Sequence, residues 1–180
     1  APFRGFLQER QAALDSGELL DAEVDRCAER VVTLLQRSRR DRQPSEADAH
    51  HRLGREAAAA GTVLLANRGV LPLSPDLGRI AVVGAFAEAP RFQGAGSSQV
   101  NPTRVDRLLD LLTARVGPGT EVAYAPGYDV RTGASSPSLV AEALTAAAGA
   151  DVVVFLGGLP ARSESEGFDR TDLDLPAGQV

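Results

Sequence analysis

Between positions 162 and 176 the chain reads Arg162-Ser163-Glu164-Ser165-Glu166-Gly167-Phe168-Asp169-Arg170-Thr171-Asp172-Leu173-Asp174-Leu175-Pro176, five carboxylates offset by two arginines. Glu164 and Glu166 are two residues apart, so in an extended stretch they lie on the same side. A carboxyl group that is partly desolvated or beside a like charge holds its proton more tightly, and a held proton is what a general acid delivers. The plain alternative for such a run is a solvated surface turn. Position favours chemistry, because the run lies off the end of the most apolar stretch of the chain, Val152-Val153-Val154-Phe155-Leu156. A second loop with unusual content is Gly94-Ala95-Gly96-Ser97-Ser98-Gln99-Val100-Asn101-Pro102. Its glycines permit tight turns, and Ser97 and Ser98 can hydrogen-bond the local backbone.

Other chemistries are excluded by residue type or spacing. Gly94-x-Gly96-x-x-Gln99 lacks a third glycine and begins ten residues after Gly84, too late to seat a pyrophosphate in the first turn after a strand. No Gly-x-Ser-x-Gly elbow occurs. All 19 basic residues are arginine, which removes a phosphate-loop lysine, a Schiff-base lysine and a lysine general base. With Cys27 alone, and His50 and His51 the only histidines, a disulfide framework or a Cys/His metal site is not available, and no metal or other cofactor is implied. His50 and His51 are neighbours pointing about 100° apart on a helix, an arrangement suited to solvation or capping. A net charge of −5 and an aromatic share of 4% argue against a nucleic-acid partner. The apolar runs are too short for a membrane span, and compartment is not indicated. The chain contains no Met, so it is expected to be processed or part of something longer.

The elements that must carry these loops follow from periodicity. Helices are expected over 3–14 and 21–39, the latter with an apolar stripe of Val24, Cys27, Ala28, Val31, Val32 and Leu35, Asp21 as its cap and Cys27 as a small packed hydrophobe. The polar, aperiodic stretch from Asp41 to Glu46, with Pro44, marks a linker, followed by a helix over 48–60 and a turn at Asn67-Arg68-Gly69. Beyond Gly78 the period changes. Continuous apolar runs at 80–84, 122–125 and 151–158 alternate with helical patterns at 105–116 and 139–148, the signature of a mostly parallel open sheet flanked by helices on both faces, an α/β fold. In such a sheet, chemistry gathers in loops leaving the carboxyl ends of the strands, which is where both candidate loops lie. Pro176 and Gln179 suit the start of a further helix.

The stretch Glu164-Ser165-Glu166-Gly167-Phe168-Asp169-Arg170, then Leu173-Asp174-Leu175-Pro176 and Gln179, resembles the E-x-E-G-x-D-R…L-x-L-P…Q segment of glycoside hydrolase family 3, the β-glucosidase-like enzymes. Arg55-Glu56-Ala57-Ala58, Val63-Leu64-Leu65-Ala66-Asn67 and Leu71-Pro72-Leu73 are similar to the opening of that family's second domain, Ile80 to Gly84 to its first strand, and Gly94 to Pro102 to its G-x-G-S-S-x-V-x-P loop. Ser16-Gly17-Glu18-Leu19 and the helix after it resemble the tail of its β/α barrel. Ala66 stands where relatives commonly have Lys, and 128–138 leaves no room for the carbohydrate-binding module that some relatives insert.

The resemblance implies three divisions: barrel helices over 1–40, a linker over 41–50, and the first part of the C-terminal α/β sandwich over 51–180. It implies a retaining β-glycosidase acting on a carbohydrate or glycoside. Glu166 would be the acid/base and Glu164 the runner-up. Asp169 and Arg170 would brace the loop or border the sugar, with Ser97 and Ser98 lining the same cleft. A retaining mechanism needs two carboxyl groups roughly 5–5.5 Å apart. The family's nucleophile is an Asp on the barrel, so the barrel domain is an expected partner and the isolated segment is expected to be inactive. The alternatives are a non-catalytic carbohydrate-binding or regulatory α/β module and an unrelated metabolite-binding domain.

Overall fold

The structure, a computed structural model, describes residues 4–38, 46–167 and 170–180, and the chain divides into two compact units, Ala1–Ala59 and Ala60–Val180. In the first unit α1 (Arg4–Asp15) ends in a turn at Gly17, whose φ of 75° is a left-handed conformation that glycine adopts without strain. Helix α2 (Asp21–Ser38) carries Asp21 and Glu23 in its first turn and Arg37 in its last, the polarity that the helix dipole favours. Asp21 is the first helical residue and not its cap. The orphan backbone N–H of Leu20 is taken instead by the Glu23 carboxylate at 3.2 Å, one half of a capping box.

The apolar stripe of α2 is present but uncovered. Among the described residues none of this helix is buried, Val24, Val31, Val32 and Leu35 are exposed, and Cys27 is an exposed free thiol and not a packed hydrophobe. Helical spacing decides where a stripe lies, not whether a surface meets it. Helix α3 (Ala47–Gly61) begins inside the linker expected over 41–50: residues 41–45 lie outside the described residues, and 47–50 are helical. Ala47 and Ala49 favour helix intrinsically, and Asp48 suits the first turn.

The second unit contains the sheet. Asn67 ties the turn before it, its side-chain oxygen accepting from Gly69 N at 3.0 Å and Leu71 N at 3.1 Å. Then come β1 (Arg79–Val83), α4 (Leu108–Arg115), β2 (Glu121–Ala125), α5 (Pro137–Ala147) and β3 (Val152–Phe155). Pro137 begins α5, and the Ser136 hydroxyl accepts from Leu139 N at 3.3 Å, a regular N-cap. The strands are parallel in the order β2-β1-β3, with Ile80 opposite both Val122 and Val152, and Val83 opposite both Ala125 and Phe155.

The central strand β1 is buried on both faces. Ile80 and Val82 form the core with Ala87, and Leu109 and Leu112 of α4 pack there. Helix α5 packs against β1 and β2. Coverage of both faces, expected from the continuous apolar runs, holds for β1 but not for β3, where Val153 and Phe155 are half exposed on one face while the alternating Val152 and Val154 pack against the core. The path runs from β1 out to β2 and back past β1 to β3. With right-handed crossovers this reversal sends the connecting helices to opposite faces and opens a crevice at the carboxyl ends of β1 and β3. Among the described residues no helix is long and apolar enough to cross a membrane.

Candidate active site

Two loops leave the neighbouring ends of β1 and β3, and backbone constraints bring them close. Gly84, with φ of 131°, follows β1, and a Cβ there would collide with the carbonyl oxygen of Leu156. Only glycine lets the two exits approach this closely. The buried Tyr128 then joins them. Its hydroxyl donates to Leu156 O at 2.6 Å and accepts from Phe86 N at 3.4 Å, while its ring meets Phe86 and Phe155 edge-on at 5.5 and 6.5 Å. Burial pushes this hydroxyl above the ordinary tyrosine value, and the Phe86 N–H contact lowers it in part.

The first loop is closed on itself by Gln93, whose side-chain oxygen accepts from Val100 N at 2.9 Å. Inside it, Gly96 (φ 75°) starts a 3-10 turn, Gly96–Ser98. Ala95 forms an isolated parallel bridge with Ser165, so the two loops run side by side as strands do. That pairing places Glu166 against the turn: the Ser97 hydroxyl donates to Glu166 Oε2, and a Cβ on Gly96 would lie 3.8 Å from that of Glu166. The Ser98 hydroxyl instead donates to Ala95 O at 3.2 Å, within its own turn. Ser97, Ser98, Glu164, Glu166 and Arg170 all line one open cavity of roughly 610 Å³.

The two glutamates differ in their surroundings. Glu164 is partly buried, with Oε2 at 2.8 Å from Arg91 Nη1 and Oε1 at 3.9 Å from Arg170 Nη1. Glu166 is exposed, so the strand-end position does not desolvate it within this chain. Asp169 lies outside the described residues. Asp172 serves its own turn, accepting from Asp174 N at 3.1 Å and from the Thr171 hydroxyl at 3.2 Å; with Asp174 it lines a neighbouring cavity of roughly 540 Å³. A larger apolar cavity of roughly 710 Å³, between Leu71, Leu108 and Val154, is lined by no carboxylate.

The far end of the acidic loop is also anchored. Gln179 exchanges two hydrogen bonds with the backbone of Gly158, at 2.8 and 2.9 Å. The stretch expected to open a new helix at Pro176 forms a single 3-10 turn, Ala177–Gln179. Arg91, Gln93 and Tyr128 had no motif to single them out. The available signal was an arginine and a glutamine immediately before a glycine-rich loop, and their partners could not be read from sequence. Among the described residues no group of three or more His, Cys, Asp or Glu side chains is arranged to hold a metal ion.

The Glycosyl hydrolase family 3 C-terminal domain profile matches residues 62–180. The chain is 39% identical over 171 residues to thermostable beta-glucosidase B of Acetivibrio thermocellus, covering 93% of this chain and 22% of that protein. It is 38% identical over 181 residues to an exo-alpha-(1->6)-L-arabinopyranosidase of Bifidobacterium breve, covering 93% and 24%. The crystal structure of a family 3 beta-glucosidase from Bifidobacterium adolescentis superposes with a TM-score of 0.70 at 39% identity, over 96% of this chain and 25% of that one. The chain thus spans about a quarter of the length of these relatives. With its three parallel strands, its paired loops and a match over residues 62–180, the chain belongs to glycoside hydrolase family 3, through that family's C-terminal domain.

Proposed function

We propose that this chain is part of a retaining β-glycosidase, β-glucosidase-like, in which Glu166 is the general acid/base. Residues 1–40 are then the last helices of a barrel domain whose Asp is the nucleophile. Residues 41–50 join the domains, and 51–180 begin the sandwich. In the first step Glu166 protonates the leaving glycosidic oxygen while the nucleophile attacks the anomeric carbon. In the second it removes a proton from the water that hydrolyses the glycosyl-enzyme.

The observation that carries this reading is the contrast between the two glutamates. Both oxygens of Glu164 face guanidinium groups, whereas Glu166 opens onto the cavity and, among the described residues, meets only the Ser97 hydroxyl on one of its oxygens. One free oxygen at a cavity wall is what proton transfer to a bound glycoside requires. Ser97 orients the carboxylate. Arg170 and Ser98 border the sugar site in this reading, both through their place on the cavity wall. One relative is named a beta-glucosidase and another an arabinopyranosidase, so relatives of this segment serve more than one sugar.

The test is Glu166→Ala in the full-length protein. Turnover of glycosides with poor leaving groups should fall by about 10²–10⁴, that of activated aryl glycosides far less, and azide should restore activity. A loss within about threefold on poor leaving groups would falsify the assignment.

A further inference from the structure

Resting on the reading of Glu166 as acid/base, we infer that Arg91 is a positioning residue that sets Glu166 through Glu164 without touching the substrate. A single nitrogen, Nη1, reaches the carbonyl oxygen of Leu159 at 2.8 Å and Glu164 Oε2 at 2.8 Å. The first contact holds the acidic loop just after it leaves β3, and the second holds it two residues before Glu166. Arg91 comes from the other loop, ahead of the glycine-rich turn, and does not line the Glu166 cavity.

Three contacts between the loops then follow in matching order. Arg91 pairs with Glu164, Ala95 bridges Ser165, and Ser97 donates to Glu166. Side chains alternate along an extended segment, so fixing Glu164 and Ser165 determines where the Glu166 side chain emerges. Of the three contacts, only the first is a charge pair, and its arginine side chain is just 19% exposed. Partial burial weakens the solvent screening that makes surface ion pairs ineffective. The second cation, Arg170, is farther from Glu164 at 3.9 Å and lies on the same loop, so it cannot set the register between loops.

The experiment uses the full-length protein with two aryl glycosides of the same sugar, one with a 2,4-dinitrophenol leaving group and one with phenol. Arg91→Ala should lower kcat/KM on the phenyl glycoside by about ten- to a hundredfold, the cost of a misplaced catalytic group, while changing the dinitrophenyl glycoside by no more than about threefold. Arg91→Lys, which keeps the charge on a shorter arm, should show the same selectivity at smaller size, and it carries the comparison if the alanine variant does not fold. The double variant Arg91→Ala/Glu164→Gln should lose less than the product of the two single losses, because the two side chains share the Arg91–Glu164 contact.

Equal losses on the two substrates, or multiplicative losses in the double variant, overturn the inference. Glu166→Ala run beside them separates the two readings. If it is selective for the poor leaving group and Arg91→Ala is not, only the positioning role fails; if it is not selective, the acid/base reading fails and this one with it.

Discussion

Tyr128→Phe isolates one atom at the junction on which the site rests. The ring keeps its edge-on contacts with Phe86 and Phe155, and only the oxygen between Leu156 O and Phe86 N is removed. The 2.6 Å bond to Leu156 is short, and without it that carbonyl faces a hydrocarbon ring. An unmet buried acceptor costs about 1–3 kcal/mol, and the partly buried setting places this one at about 1–2 kcal/mol. The 3.4 Å contact to Phe86 N is too long to add much. Amide exchange in the full-length protein, read on peptides covering 79–86 and 152–158, should therefore accelerate by about 5- to 30-fold at neutral pH.

The same atom predicts a pH dependence. Burial raises the Tyr128 hydroxyl above its ordinary value of 10.0, so the fold favours the neutral form. Its contribution is whole below pH 10 and is lost as pH climbs through the raised folded value. The gap in urea midpoint between wild type and Tyr128→Phe should narrow as pH rises beyond 10. Unchanged exchange in both peptides, or a gap that widens in alkali, would refute the reasoning.

Other consequences concern the cavity and the neighbouring turn. Ser97→Ala should slow glycosides with poor leaving groups by about tenfold, the effect of one hydrogen bond to a charged group, whereas Ser98→Ala, whose hydroxyl donates to Ala95 O and not to Glu166, should leave the dependence on the leaving group unchanged. Steady-state kinetics on the full-length protein checks both, and equal effects would remove the distinction. The Asp129 carboxylate is held below its ordinary value of 3.8, chiefly by the Thr132 hydroxyl and then by the Thr132 and Arg131 N–H groups. Its contribution is present above pH 3.8 and lost as pH falls through the lower folded value. Asp129→Asn should thus be less stable than wild type at neutral pH, with the difference fading in acid; a difference that grows on acidification contradicts this.

Much of the fold was legible because its signals are local. The runs at Ile80, Val122 and Val152 read as strands from their uninterrupted apolar character, and the helices between them from spacing, so the parallel α/β class followed from alternation. The errors also have local causes. Asp21 has the residue type of a cap, but Glu23 three residues after Leu20 does the capping, and pattern alone does not choose between them. Cys27 sits in an apolar stripe, but no surface among the described residues covers it. In the site, Glu164 and Glu166 are equivalent carboxylates by composition and spacing. What separates them is Arg91 on one and Ser97 on the other, both far away in the chain.

The sequence by itself determined the parallel α/β class, the two loops that hold the candidate chemistry, and the family resemblance, because periodicity and short motifs are encoded among near neighbours. Only the tertiary structure decided that these loops lie side by side and in which register. The strand order β2-β1-β3 makes the exits of β1 and β3 adjacent, and Gly84 allows their backbones to approach. The pairing of Arg91, Ala95 and Ser97 with Glu164, Ser165 and Glu166 then differentiates the glutamates. Hydrogen bonds and ion pairs depend on distance in space, and contacts spanning about seventy residues leave no periodic trace in the sequence.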